Sequence, residues 1–139
     1  MKASRTDVAL LALRLVLGAA FIAHGLPKVQ HLNSWATYAL PGIPTWLAAA
    51  IALLEVGSGF AMIVGLGTQI AGFLIAAEMV FAIFFVQVPH GAVFVPATRG
   101  TPSFEVPLLY LTVAFALLLM GGGALSLGGF RPGDRQRRG

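Results

Sequence analysis

Arg14, Glu55 and Glu78 stand near the middle of long apolar stretches of this chain. A charge at bilayer depth costs at least ~2.5–3.5 kcal/mol on insertion scales, so such residues face protein or water and often mark function. Two carboxyls sharing one guanidinium in a low dielectric cannot both ionise freely. One of them keeps its proton, and the trio then becomes a site able to relay or exchange protons. The same residues also fit a structural role, an ion pair plus a neutral acid that fixes helix register. The residue types leave both readings open.

A second set falls at the ends of the apolar stretches and in the loops between them: His24, Lys28, His31, His90, Arg99 and Glu105. Imidazoles here could titrate near neutral pH, hydrogen-bond a quinone carbonyl or ligate a metal. Of the set, His24, His90 and Glu105 are the candidate quinone contacts. No spacing matches a metal motif such as a histidine pair at i, i+4 with a glutamate, so no metal site is assigned. A bis-histidine haem site would require His24 and His90 to face each other. The plainer alternative is that all six cap helix ends and solvate loops.

The elements that must position these residues follow from composition. Of 139 residues 58% are hydrophobic and only 10% charged, with a mean hydropathy of +0.86. Soluble domains run at roughly 45–50% apolar and about 25% charged, so the chain belongs to a different class. Four apolar runs, about 7–26, 45–66, 68–88 and 105–127, are each long enough to cross a bilayer. The expected fold is all-α integral membrane: a single four-helix transmembrane bundle over 1–130, followed by a basic tail over 131–139. A positive start before an apolar run also describes a signal peptide, but Arg14 and the length of the run weigh against cleavage.

Within the first run, Arg14, Gly18, Phe21 and Gly25 share one helical face. In the second, Glu55, Gly59 and Met62 share a face, with Gly57, Ala61 and Gly65 nearly opposite. Small residues at this spacing permit close helix approach, which predicts that the second helix is covered by protein on two sides. The tight turn Gly65-Leu66-Gly67 makes the second and third helices antiparallel neighbours. Estimated depths place Arg14, Glu55 and Glu78 together in the bundle core. Asn33 to Leu40 reads as a short amphipathic helix on the membrane surface, with Trp35 and Tyr38 at headgroup level.

Lys2, Arg5, Arg131, Arg135, Arg137 and Arg138 lie at the chain ends, against Lys28 and Arg99 in the long loops. Six against two places both termini in the cytoplasm and loops 27–44 and 89–104 in the periplasm of a bacterial inner membrane. Charges gathered at the ends provide no basic face for nucleic acid. The absence of cysteine excludes thiol redox chemistry and thiolate-held clusters within this chain.

Arg14-Leu-Val-Leu-Gly18, His24-Gly25-Leu26-Pro27-Lys28, Leu54-Glu55-Val56-Gly57-Ser58-Gly59 and Val64-Gly65-Leu66-Gly67-Thr68 resemble the DoxX family of small four-span bacterial membrane proteins. The likeness continues through His90-Gly91, Phe104-Glu105 and Gly123-Ala124-Leu125-Ser126-Leu127. It implies an inner-membrane four-helix bundle tied to redox complexes, since relatives include a membrane subunit of thiosulfate:quinone oxidoreductases. The family usually has histidine near the end of the third span, followed three residues later by asparagine and glycine. Here those positions read Gln87 and His90-Gly91. The resemblance thus points to an accessory or anchor subunit, more a partner in a complex than an autonomous enzyme. It would have no covalent cofactor, a quinone as candidate ligand, and lipid and other membrane subunits around it. The alternatives are a non-catalytic scaffold or assembly factor, a self-associating bundle and a small transporter.

Overall fold

The computed structural model describes residues 3–39 and 41–129. The basic tail 131–139 and Lys2, which weigh heavily in the predicted orientation, lie outside the described residues.

Helix α1 (Arg5–Gln30) begins at a capping box. The Ser4 hydroxyl accepts from the Asp7 amide at 3.1 Å, and the Asp7 carboxylate accepts from the Ser4 amide at 2.9 Å, so two orphan donors of the first turn are satisfied. The helix continues beyond the predicted end at Leu26, through Pro27, to Gln30. A proline so near the end removes a single donor, and the helix closes with the His31 amide on the Pro27 carbonyl at 2.9 Å. Lys28 is therefore a helical residue and not part of a loop.

Helix α2 (Leu32–Ala39) is the expected short amphipathic segment, and α3 runs from Thr45 to Val64. Gly65 and Gly67, at φ 74° and 59°, turn the chain; both sit in the left-handed region that other residues avoid. Helix α4 (Thr68–Phe81) continues as a π-helical turn, Ala82–Gln87, and a 3₁₀ turn, Val88–His90. Pro89 has no N–H for the regular ladder, so the helix ends in irregular turns. Helix α5 (Glu105–Met120) is shorter than the predicted 105–127. Gly121 and Gly123, at φ 73° and 72°, break it, and 121–129 folds back, ending in a 3₁₀ turn at Leu127–Gly129.

The described residues thus form an all-helical structure with no strand beyond one isolated bridge between Val93 and Ser103. Three helices are long and apolar enough to cross a membrane: Arg5–Gln30, Thr45–Val64 and Thr68–His90. Helix α5 is apolar but has 16 residues, a rise of about 24 Å against a hydrocarbon core of about 30 Å.

Helix α1 packs chiefly on α3 and α4 chiefly on α5, and the two pairs join through α3–α4 and α1–α5 contacts. Glycine sets the spacing in both pairs. A methyl group built on Gly18 would lie 2.6 Å from the Gly59 carbonyl oxygen, and one on Gly72 would lie 2.9 Å from that of Ala114. The core takes Leu17, Met62, Ile75 and Leu117, one from each of the four long helices. Outside, Val16, Trp46, Ile70, Phe85 and Leu119 are exposed. Helices apolar on both faces are what a lipid environment demands. Of the second small-residue face of α3, Ala61 packs against the core and Gly65 lies against Arg14, while Gly57 faces open space.

Candidate functional site

The antiparallel register of α1 on α3 decides which buried charges meet. Gly18 lies against Gly59 and Ile63, and Gly25 against Glu55 and Val56. On this register Glu55 is level with Gly25, whereas Arg14 is level with the Gly65 turn.

Glu55, with 3% of its surface exposed, therefore pairs with Lys28, one turn beyond Gly25 on α1. Across the α3–α4 contact, Glu78 is close enough for both acids and Lys28 to act on one another electrostatically. The Lys28 ammonium also lies over the Trp35 ring, 5.1 Å from its centroid, so α2 helps to hold the cation in place. Oε2 of Glu55 is buried with no hydrogen-bond partner among the described residues. At the same level α1 meets α5, where Tyr110 makes edge contacts with Phe21 and His24 at 5.8 and 6.3 Å between centroids. A polar layer thus crosses the bundle, with Lys28, Glu55, Glu78 and Tyr110 each supplied by a different long helix.

Arg14 does not belong to this layer, which corrects the predicted trio. It is fully buried, and its Nη2 donates to the Leu125 carbonyl at 2.7 Å. The predicted depth was wrong because the side chain extends toward the Arg5 end of the bundle, where the glycine-rich segment 121–129 folds back. Lys28 takes the role assigned to Arg14. It was readable: the face Arg14, Gly18, Phe21, Gly25 reaches residue 28 at the same 3–4 spacing.

The three proposed quinone contacts do not converge. His24 is exposed beside Tyr110. His90 is 12 positions past Glu78, roughly 18 Å farther along the helix axis, and its Nδ1 bonds the Val86 carbonyl of its own segment. Glu105 is exposed at the first turn of α5, its amide donating to Ser103 Oγ at 3.1 Å. Among the described residues no group of three or more histidine or acidic side chains could hold a metal ion.

Chemically, one ammonium opposite two carboxyls is electroneutral only when one carboxyl holds a proton. Such a set of groups is of the kind that can hold an exchangeable proton in a low dielectric.

Apolar helices that expose their side chains outward, around a buried ionic layer, define a small polytopic membrane protein. The chain belongs to the DoxX family, whose family model matches residues 9–88. It is 31% identical over 112 residues to a Bacillus subtilis (strain 168) protein named "Putative oxidoreductase CatD", covering 80% of this chain and 79% of that one. It is also 31% identical over 118 residues to an uncharacterized protein of Haemophilus influenzae, covering 83% of this chain and 84% of that one. No solved structure matches it.

Proposed function

We propose that this DoxX-family protein is an accessory or anchor subunit of a redox complex in the bacterial inner membrane, and that its Lys28–Glu55–Glu78 layer handles protons for a quinone site of that complex. In this reading α5 completes a fourth span, both termini are cytoplasmic, and loops 27–44 and 89–104 are periplasmic. The observation that carries it is the Lys28–Glu55 ion pair with the second acid, Glu78, beside it, Glu55 keeping one oxygen without a partner among the described residues. The oxidoreductase name borne by the Bacillus relative points the same way.

A quinone takes up two electrons and two protons on reduction, and partner subunits supply the electrons. Glu78, half-buried and opposite Glu55, is the acid best placed to release a proton and regain it. Lys28 pairs with Glu55 and orients it. His24 and Tyr110, at the same level, are the side chains of this chain nearest to a headgroup bound against α1 and α5.

Purification from native membrane is expected to bring down larger subunits and quinone, and a lone species without quinone would remove the redox-subunit reading. Glu78→Gln is expected to leave assembly intact while quinone-linked turnover falls about a hundredfold, the usual scale for losing a positioned proton donor. If turnover and assembly both survive, the competing reading takes over. In that one the Lys28–Glu55 pair, formed between the most extensively packed helices, serves as a register-fixing contact of a non-catalytic scaffold.

A further inference from the structure

At the Arg5 end of the bundle two cavities meet. The first, about 390 Å³, is walled by the Gly65–Gly67 turn, the first turn of α4 and the segment 121–129. The second, about 570 Å³, is an apolar groove between α3 and α4 lined by Leu53, Gly57, Ala61, Leu66 and Leu74 among others. Gly67 and Ile70 line both. The groove occupies the side of α3 that Gly57 leaves uncovered.

The first cavity is built for negative charge. Helix α4 points its N-terminus into it, with Gly67 as a cap that offers no side chain and no acid in the first turn, so among the described residues no side chain answers its first amides or the helix dipole. Thr68, 5% exposed, lines the cavity, and its Oγ1 has no partner among the described residues. Immediately behind the wall lies Arg14. A methyl group built on Gly65 would be 1.8 Å from its Nη1, and both Nη1 and Nε are buried without partners among the described residues. Asp7 is an anion at the Gly123 edge of this cavity, its Oδ2 held by Ser4 and its Oδ1 by the Ala124 amide at 2.7 Å, and the Arg14 guanidinium offsets its charge.

We propose that the joined cavities bind an anionic phospholipid, its phosphate at Thr68 and the α4 N-terminus and an acyl chain along the α3–α4 groove. The phosphate chemistry alone would also suit free inorganic phosphate; continuity with an apolar groove favours the lipid.

The test is native mass spectrometry of the full chain in mixed micelles holding equal phosphatidylglycerol and phosphatidylcholine with identical acyl chains. Both lipids carry the phosphodiester, and the choline cation of phosphatidylcholine cancels the net charge that Arg14 and the α4 N-terminus favour, so the wild type is expected to retain phosphatidylglycerol about tenfold over phosphatidylcholine. Ile70 is 69% exposed where the cavities meet, and a carboxylate in the first turn of α4 favours the helix itself. Ile70→Glu is therefore expected to erase the preference without unfolding, while Ile70→Gln keeps it within about twofold. Thr68→Val is expected to weaken it several-fold. Equal retention of both lipids, or a preference that survives Ile70→Glu, overturns the proposal. Displacement of phosphatidylglycerol by inorganic phosphate at millimolar concentration overturns it in favour of a free-anion site.

Discussion

Lys28, on the last turn of α1, reaches back toward mid-bundle to pair with Glu55 on α3. The pair ties together the two helices with the most extensive contact, and Glu78 approaches it from α4. Because Glu55 is almost wholly buried and Lys28 is about a quarter exposed (24%), the carboxylate depends more on the pair than the ammonium does.

Lys28→Met should consequently destabilise the protein by about 3 kcal/mol, the lower end of the range for stranding a buried charge. Adding Glu55→Gln to that variant should restore most of the loss, because the orphaned charge is gone. Detergent-titrated unfolding of the two singles and the double measures the coupling. Additive losses would mean that the pair contributes nothing beyond its separate members.

The glycines of α1 and α3 are not equivalent. A methyl group on Gly59 would lie 2.8 Å from the Gly18 carbonyl oxygen, with the Ile22 amide 3.0 Å away. Relief requires the helices to part, so Gly59→Ala should cost roughly 1–3 kcal/mol. Gly57, two residues earlier, meets nothing within 4 Å. Gly57→Ala should be neutral or stabilising by up to about 1 kcal/mol, as expected when a helical glycine is replaced. Thermal unfolding of the two variants side by side checks the packed face directly.

Arg14 anchors the returning segment through the Leu125 carbonyl, helped by Asp7 at Ala124 and by the Gly128 amide on the Gly65 carbonyl at 2.9 Å. Arg14→Gln shortens the reach and leaves Leu125 without its donor. Amide exchange over 124–129 should then accelerate about tenfold or more, since a hydrogen bond to a charged group is worth roughly 1.5–3 kcal/mol. Exchange in the Lys28–Glu55 layer should be unchanged. A matching acceleration around Glu55 would restore the idea that Arg14 and the acids form one cluster.

How much of this could be read from sequence depended on whether neighbours were fixed locally. The level of Glu78 with Glu55 was readable because only Gly65-Leu66-Gly67 separates their helices, and a tight turn fixes the register. The partner of Arg14 was not readable. Choosing between Glu55 and Leu125 requires the register of α1 against α3, which is set by the contact of Gly18 with Gly59 across a sequence gap that no short turn constrains. The end of α5 escaped for a different reason. The run Ala124-Leu125-Ser126-Leu127 is apolar enough to continue a span, while the left-handed Gly121 and Gly123 stop the helix before it.

Gln87 offers the last test. It closes the π-helical turn, and its Oε1 is buried without a donor among the described residues. Leaving such an acceptor unsatisfied costs about 1–3 kcal/mol, so an apolar side chain of similar length should relieve that cost. Gln87→Met is therefore expected to hold or raise the unfolding midpoint, while Gln87→Ala, which leaves a void, should lower it. A loss of stability in the methionine variant beyond about 1 kcal/mol would mean that Oε1 accepts a hydrogen bond in the folded protein. The donor would then be water, lipid or a bound headgroup beside the π-helical turn that follows α4.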